Sequence, residues 1–320
     1  MKTDAAPKGW LVLAFIAIYF VWGTTYLANL FALEAMTPFI ISALRYVVAG
    51  LLLATLAYGK GQAFPKRKEL RDLAISGTLM LAGGSGLVVV AEQYISSGSA
   101  AVIVATEPLW FVLLDRRRWR LYFNDRKMIT GLLLGFLGIV LFTRFTPMHS
   151  PQGSPSGSPL LGTMIVLAGV ILWVIGTLFA SRRIKPNAYT LWHPTAQLLA
   201  AGIFAGLIAG LAGEWTVFDF REVSGPSWGG LGFLILFGSL IGYLAYGWLV
   251  TVQPPALVST HTYVNPLVAL LMGWLFVGEP IASQQLMALA VALLGVVLTQ
   301  TSKVHAEAHY DGEGEVETHS

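Results

Sequence analysis

Two ionisable side chains lie inside long apolar stretches of the sequence, where a charge is costly. Arg45 is seven residues beyond Pro38, and Glu107 is eight residues beyond Ser99. A charged group at the centre of a bilayer costs at least about 2.5–3.5 kcal/mol on insertion scales, so each of these residues needs a specific role. The guanidinium could bind a substrate carboxylate, and the carboxyl could take up and release a proton. Together the two residues indicate a polar site in an apolar protein.

Arg45 and Glu107 are also predicted to lie at one depth. At about 1.5 Å per residue, both are roughly 10–12 Å below the same membrane surface. Equal depth and opposite charge make an ion pair plausible if the two helices are neighbours. Such a pair would be a gate or a substrate-carboxylate site, with Glu107 the candidate for proton coupling. Alternatively, it is a static structural pair in which each charge offsets the desolvation of the other.

Aromatic and polar residues in the apolar stretches complete a predicted substrate cavity. Deep rings suit flat or amphipathic solutes, or cations held over a ring face, although they also serve as packing or lipid-facing bulk. A histidine could relay protons or bind an anion, although a lone one often only bonds across a helix interface. The predicted cavity residues are Trp22, Tyr26, Arg45, Tyr46, Glu107, Trp110, Trp173, His193, Tyr243, Tyr246, His261, Tyr263 and Asn265.

The elements that must position these residues are transmembrane helices. The chain of 320 residues is 55% hydrophobic and 12% charged, against roughly 25% charged in soluble domains. This composition excludes a cytosolic enzyme, a disordered chain and a nucleic-acid-binding protein. Since a helix needs roughly 20 apolar residues to cross the hydrocarbon, ten spans are predicted: 10–31, 37–58, 70–91, 99–119, 127–144, 160–181, 188–211, 228–250, 255–277 and 281–301.

The basic residues predict the orientation of these spans. With ten spans, 17 of the 20 Lys and Arg residues fall on one side, which we call the basic side. Only Arg144 and Arg221 fall on the opposite side, and Arg45 lies within the second span. Positively charged loops stay in the cytoplasm, so both termini are predicted to be cytoplasmic in a multi-pass plasma membrane protein, expected in a bacterial inner membrane.

The chain divides into two similar halves. Residues 1–145 form a first five-helix repeat, 146–159 an external Pro/Gly/Ser linker, 160–302 a second five-helix repeat and 303–320 an acidic tail predicted to be disordered. Glu107-Pro108-Leu109 corresponds to Asn265-Pro266-Leu267, Trp22 to Trp173 and Gly138 to Gly295. Because five is odd, the second half must be inverted relative to the first. Inverted repeats are typical of secondary transporters, which bind substrate near the midplane between the repeats.

The motifs of the two halves resemble those of the EamA-type members of the drug/metabolite transporter superfamily. The matching residues are Trp22-Gly23, Pro38 with Arg45-Tyr46 and Ala49-Gly50, Ser97 to Ala101 leading to Pro108, and Pro266 leading to Gly278-Glu279. The first half departs from the pattern, because Asp115-Arg116-Arg117-Arg118-Trp119 stands where the repeat usually closes with Gly-Glu. The resemblance implies a ten-helix carrier, from an exporter branch, for small metabolites or drugs and often for amino acids.

The sequence therefore predicts a secondary active or facilitative transporter that exports small organic metabolites or drugs by alternating access. A nucleotide-sugar or phosphorylated-metabolite exchanger is the alternative carrier, although Arg45 is its only cavity cation. A membrane sensor that does not transport is the other alternative. No enzymatic activity, cofactor or metal site is predicted, since no Walker motif, cysteine or spaced set of metal ligands is present. The expected partners are a small-molecule substrate and the bilayer, without nucleic acid, for a monomer or weak homodimer.

Overall fold

The regular elements in the described part of the chain are all helical. The computed structural model describes residues 8–95, 97–145, 158–183, 190–277 and 283–302. Most of the predicted linker, the Gly278-Glu279 motif and the predicted tail lie outside these residues. The α-helices in chain order are α1 (Lys8–Leu33), α2 (Pro38–Gly59), α3 (Arg67–Gly77), α4 (Gly86–Ala91), α5 (Ser97–Val104), α6 (Glu107–Leu114), α7 (Trp119–Asn124), α8 (Arg126–Phe145), α9 (Pro159–Arg183), α10 (Trp192–Leu211), α11 (Glu214–Val217), α12 (Gly225–Phe233), α13 (Tyr243–Val252), α14 (Pro255–Val258), α15 (His261–Val277) and α16 (Ser283–Gln300).

Three shorter helical segments join these helices. A π-helix, Thr78–Ser85, connects α3 to α4 without a break, and a second, Leu234–Gly242, connects α12 to α13. A 3-10 turn, Arg116–Arg118, precedes α7. A π-turn widens the helix by one residue and often occurs at functional sites. Each π-helix here supplies residues to the cavity described below.

Seven helices among the described residues are long and apolar enough to cross a membrane. They are Lys8–Leu33, Pro38–Gly59, Arg67–Ala91, Leu160–Arg183, Trp192–Leu211, Gly225–Val252 and Ser283–Gln300. The protein is thus an all-helical, multi-pass membrane protein. The predicted fourth, fifth and ninth spans are not in this set, so ten crossings and the orientation of the termini stay predictions.

The predicted fourth span is divided in the structure. Helix α5 ends at Val104 and α6 begins at Glu107, followed immediately by Pro108. Proline has no N–H and fits the first turn of a helix but not its interior, so a new helix starts here. Pro266, its counterpart in the second half, lies inside α15 instead. The break places Glu107 in the first turn of α6.

Helix α2, which carries Arg45, is capped by the first residue of α11. The Glu214 carboxylate accepts a hydrogen bond from the Thr37 hydroxyl at 2.5 Å and another from the backbone N–H of Ile40 at 3.2 Å. The first N–H groups of a helix have no partner within the helix, and an acidic group also complements the helix dipole there. Glu214 therefore fixes the end of α2 nearest to Arg45.

Glycines bring several helices into close contact. A Cβ on Gly84 would lie 2.9 Å from the Cβ of Trp173, and one on Gly169 would lie 2.9 Å from the Gly84 carbonyl oxygen. The Gly-rich part of the third span therefore packs closely against α9. Helices α8 and α16 make the most extensive helix contact, through Gly131, Gly135 and Gly295.

Ion pairs join the two halves at the basic side. Arg183 of α9 contacts Asp72 of α3 at 3.2 Å, and Arg182 contacts Asp115 at 3.3 Å. His193 at the start of α10 contacts Glu69 of α3 at 3.0 Å. Partly exposed pairs contribute little stability individually, but all three connect the first half to the second. They hold the halves together on this side.

Candidate functional site

A cavity of about 100 Å³ lies between the two halves. One water needs roughly 10–15 Å³ of such space, so the cavity has room for several waters or a small solute. The first half supplies residues from α1, α2, the first π-helix, α4, α5 and α6, and the second half supplies residues from α9, the second π-helix, α13 and α15. Eight of the thirteen predicted residues line it: Trp22, Tyr26, Arg45, Glu107, Trp173, Tyr243, His261 and Asn265.

Arg45 is held in the cavity wall by the opposite half of the protein. Its side chain is buried, with 7% of the residue exposed. The Nε–H donates to the Ser239 hydroxyl at 2.7 Å, and the guanidinium carbon lies 5.2 Å from the centre of the Tyr46 ring. Gly238 lets the guanidinium approach the backbone, because a Cβ there would lie 2.7 Å from Nη2. One hydrogen bond to Ser239 orients the fork and leaves other N–H donors for a ligand.

Glu107 is a buried carboxyl with an unpartnered oxygen. The residue is 4% exposed, and its Oε1 makes no hydrogen bond in the described part of the protein. A buried carboxylate without donors is unfavourable, so the group calls for a proton or a positively charged ligand group. Its place in the first turn of α6 adds the positive end of that helix dipole.

Arg45 and Glu107 do not form the ion pair that their equal depth made plausible. The ion pairs within 4.0 Å among the described residues involve Asp72, Asp115 and Glu69, and none joins Arg45 to Glu107. The guanidinium of Arg45 instead donates to Ser239 of the second π-helix. The cavity therefore contains a cation and a carboxyl that are separate.

Aromatic rings close the cavity towards the basic side. We call Trp22, Trp173, Tyr246 and His261 the aromatic floor. The Trp22 ring lies 5.6 Å from Trp173, 5.1 Å from Tyr246 and 4.8 Å from His261, centre to centre. Trp173 donates its indole N–H to the Tyr246 hydroxyl at 3.0 Å, and Trp22 donates to the Gly238 carbonyl at 3.1 Å. These edge-to-face and tilted contacts, with the hydrogen bonds, join both halves beneath the cavity.

Further hydrogen bonds define the lower wall. The Nδ1 of His261 lies 3.0 Å from the Val258 carbonyl, which can only accept, so Nδ1 carries a proton. Tyr243 donates its hydroxyl to the Gln197 amide oxygen at 3.0 Å, and Gln197 donates to Ser76 at 2.9 Å. With its amide nitrogen turned towards them, Asn265 donates to the backbone oxygens of His261 at 2.9 Å and Tyr19 at 3.2 Å.

Five predicted residues lie outside the cavity lining. Tyr246 belongs to the aromatic floor, Tyr46 donates to the Leu81 carbonyl, and Trp110 donates to Thr106 on its own helix. Tyr263 packs on Gly135 and donates to the Leu132 carbonyl. His193 is at the basic side, in the first turn of α10, where it bonds to Glu69.

The cavity also includes residues that sequence reasoning missed. They are small or neutral side chains, which carry no charge or ring to mark them: Thr25, Asn29, Leu81, Gly84, Ser85, Val88, Val104, Gly169, Val170, Gly238 and Ser239. Asn29 and Ser239 are polar residues inside apolar stretches. That signal was present in the sequence but is weaker than that of a charged residue.

The comparisons with known proteins agree with this architecture. The EamA-like transporter family matches residues 9–144 and again residues 160–301. The uncharacterized inner membrane transporter YedA of Escherichia coli (strain K12) is 34% identical over 294 residues, which cover 91% of this chain and 90% of that protein. The uncharacterized transporter YvbV of Bacillus subtilis (strain 168) is 24% identical over 94% of each chain.

A protein of known crystal structure shares the fold. It superposes with a TM-score of 0.71 at 18% identity, covering 92% of this chain and 96% of its own. The repeated family match together with the identity to YedA decides the assignment. This chain is a member of the EamA-like transporter family.

Proposed function

We propose that this protein is a secondary transporter that exports small organic metabolites carrying both a carboxylate and an amine, such as amino acids, by alternating access. The observation that carries the proposal is the buried cavity between the halves, in which Arg45 and Glu107 are not paired with each other. A separate cation and carboxyl in one small cavity complement a small zwitterion.

In this proposal Arg45 binds the substrate carboxylate. Its Nε–H is committed to Ser239, so the remaining guanidinium N–H groups can form charge-assisted bonds to a carboxylate. The ionised Glu107 binds the ammonium group, and the rings of Trp22 and Trp173 pack against the rest of the solute. Since a proton and an ammonium compete for the same carboxyl, Glu107 is also the group that couples transport to protons.

The arrangement of the halves supports ten spans in two inverted repeats, 1–145 and 160–302. Trp22 and Trp173, which match each other in sequence, are in edge-to-face contact. Glu107 and Asn265, a second matching pair, line the same cavity. The closing helices α8 and α16 pack together along glycines, with Gly138 against Ala292. Corresponding residues that meet are expected when two repeats are related by a two-fold axis in the membrane plane.

Alternating access would require the contacts below the cavity to separate. In this structure the aromatic floor and the Arg182–Asp115 and Arg183–Asp72 ion pairs join the halves on the basic side. We infer that this side is cytoplasmic, with both termini there. Rocking one half against the other would break these contacts and open the cavity to the cytoplasm for loading.

Counterflow in proteoliposomes tests the proposal. Purified protein is screened for thermal stabilisation by zwitterionic, anionic and cationic small metabolites, and each stabilising compound is then tested for exchange. Zwitterions are expected both to stabilise the protein and to exchange. Stabilisation without exchange for every compound would indicate a sensor and overturn the proposal, and preference for phosphorylated compounds would overturn the substrate class.

A further inference from the structure

A second buried carboxyl lies beyond the cavity, at the end of α4. Glu92 is 3% exposed, and neither of its carboxyl oxygens has a hydrogen-bond partner in the described part of the chain. The Asn29 side chain of α1 lies beside this carboxyl, and its own Oδ1 is also buried without a partner. Val89 of α4 packs in one apolar cluster with Ala28 and Ala32 of α1, which brings the two helices together here.

Three unpartnered oxygens at one place indicate a missing donor. A protonated Glu92 would supply it, because its O–H can donate to Asn29 Oδ1 while the Asn29 amide donates back to the other carboxyl oxygen. This cyclic acid–amide pair would satisfy Asn29 and Glu92 together. An oxygen-ligated metal cation fits less well, since Ca²⁺ takes about six to eight oxygens. The chemistry therefore favours a proton.

The position of Glu92 connects the surface to the cavity. Its neighbour Gln93 lines a surface depression on the side opposite to the basic side, together with Glu34, Thr37 and Phe218. On the inner side, Asn29 and Tyr26, one helical turn apart on α1, both line the cavity that contains Glu107. Glu92 and Glu107 both act electrostatically on the Tyr26 hydroxyl, so Tyr26 is near both carboxyls.

No described charged group pairs with Glu92. Helix α4 packs against α2, α9 and the first π-helix, and it meets α1 through the cluster around Val89. The first π-helix has no titratable residue, and α9 has only Arg182 and Arg183, at the basic side. The other titratable groups on the segments around this region are Tyr26 of α1, Glu34 after α1, Arg45 and Tyr46 of α2, Tyr94 after α4, and Glu107 of α6.

We propose that Glu92 and Asn29 form a proton-binding site between the outer surface and the cavity. The protonated site holds α1 against α4. When the proton returns to the external water, the two helices are released from each other. The regulatory consequence rests on the transport function proposed above, whereas proton binding itself does not. Acid outside the membrane then keeps the outer path closed and slows substrate exchange. Loss of the proton leaves a buried carboxylate, which is unfavourable without hydration, and this favours opening of the outer path to water.

Proton binding is measured without any substrate. The variant Glu107→Gln removes one of the two buried carboxyls and retains the other, Glu92. In infrared titrations of the purified protein, this variant is expected to retain the C=O stretch of a buried protonated carboxyl at about pH 7, where a solvated carboxyl is ionised. The double variant Glu107→Gln/Glu92→Gln is expected to lose that band. A band absent from the first variant at about pH 7, or unchanged in the second, would overturn the proposal.

Exchange at different external pH values tests the consequence. Wild-type exchange is expected to fall on external acidification, by up to about tenfold per pH unit where a single group titrates. Glu92→Gln imitates the neutral acid and can form the same two bonds to Asn29, so it should fold and remain at the slow, acid level throughout. Thermal unfolding verifies its fold, and Glu222→Gln, at an exposed position before α12, is the control. Exchange by Glu92→Gln that follows external pH as wild type does would refute the site, whereas absence of exchange in wild type would refute the transport function alone.

Discussion

Arg45 and Glu107 line the same cavity, and yet the guanidinium of Arg45 donates to Ser239 at 2.7 Å and forms no ion pair with Glu107. A paired arginine and glutamate would neutralise each other and leave a cavity suited to neutral solutes. The separation instead leaves one positive and one acidic group for a ligand. The separation also lets the two groups be tested independently, since replacing one of them does not remove an ion-pair partner from the other.

Arg45→Lys should weaken the binding of carboxylate substrates. A lysine ammonium is a single point of charge and cannot hold Ser239 and a substrate carboxylate in the fixed geometry of the guanidinium fork. We expect the concentration for half-maximal counterflow to rise by about tenfold, or about 1.4 kcal/mol. Arg144→Lys, on exposed Arg144 of α8, should leave it unchanged. An equal effect of the two variants would remove Arg45 from the site.

Glu107→Gln should abolish both selectivity for the amine and coupling to protons. The amide keeps the shape of the side chain but cannot carry the negative charge that attracts an ammonium. Binding of a zwitterion should fall by about tenfold or more, while binding of the analogue without the amine should not. The dependence of substrate binding on pH should also disappear in this variant. Substrate binding that keeps the wild-type dependence on pH in this variant would exclude Glu107 as the coupling group.

Tyr246→Phe should loosen the aromatic floor. The hydroxyl accepts from Trp173 at 3.0 Å and lies 2.9 Å from the Thr177 hydroxyl, so its removal leaves two buried groups without a partner. Leaving such a group unpaired costs about 1–3 kcal/mol. Thermal unfolding of the purified protein should therefore begin at a lower temperature. Tyr58→Phe is the matched control, because Tyr58 is 82% exposed and its variant should unfold like wild type.

Gly295→Ala should separate α8 from α16. A Cβ on Gly295 would lie 2.6 Å from the Gly131 carbonyl oxygen and from the Gly135 Cα, both of which are backbone atoms that cannot rotate away. Such overpacking costs about 1–3 kcal/mol, measurable by thermal unfolding. Gly232→Ala in α12 adds the same methyl where nothing lies within 4 Å, so it should be neutral or stabilising. Equal unfolding of both variants would contradict this packing.

Single cysteines test the orientation of the membrane spans. The natural chain contains no cysteine, so an introduced thiol is the only one that can be labelled. Arg221→Cys should react with an impermeant maleimide in intact cells. Lys60→Cys should react only after the membrane is permeabilised, because it lies on the predicted cytoplasmic side. The reverse pattern would invert the topology. Labelling of both positions in intact cells would contradict the odd number of crossings, five, predicted between Lys60 and Arg221.

The membrane environment and the family could be inferred from the chain alone. Apolar runs of about 20 residues have no other stable setting, and the matching Glu107-Pro108 and Asn265-Pro266 segments occur in the same order in both halves. The cost of burying a charge also singled out Arg45 and Glu107. These inferences depend on composition and on the properties of single residues, which do not require knowledge of which helices touch.

Which residues meet depended on tertiary packing. Arg45 and Glu107 have equal predicted depth, but depth along a helix does not specify its rotation or its neighbours, and Arg45 bonds to Ser239, 194 positions away. Tyr46 and Tyr263 resemble cavity residues in sequence, but their hydroxyls bond to backbone carbonyls. Glu92 follows an apolar stretch, a position in the sequence that is typical of a surface residue. In the structure it is buried beside Asn29 of α1. The close approach of helices at glycines sets these neighbours, since the distance between two backbones decides which side chains can face one cavity.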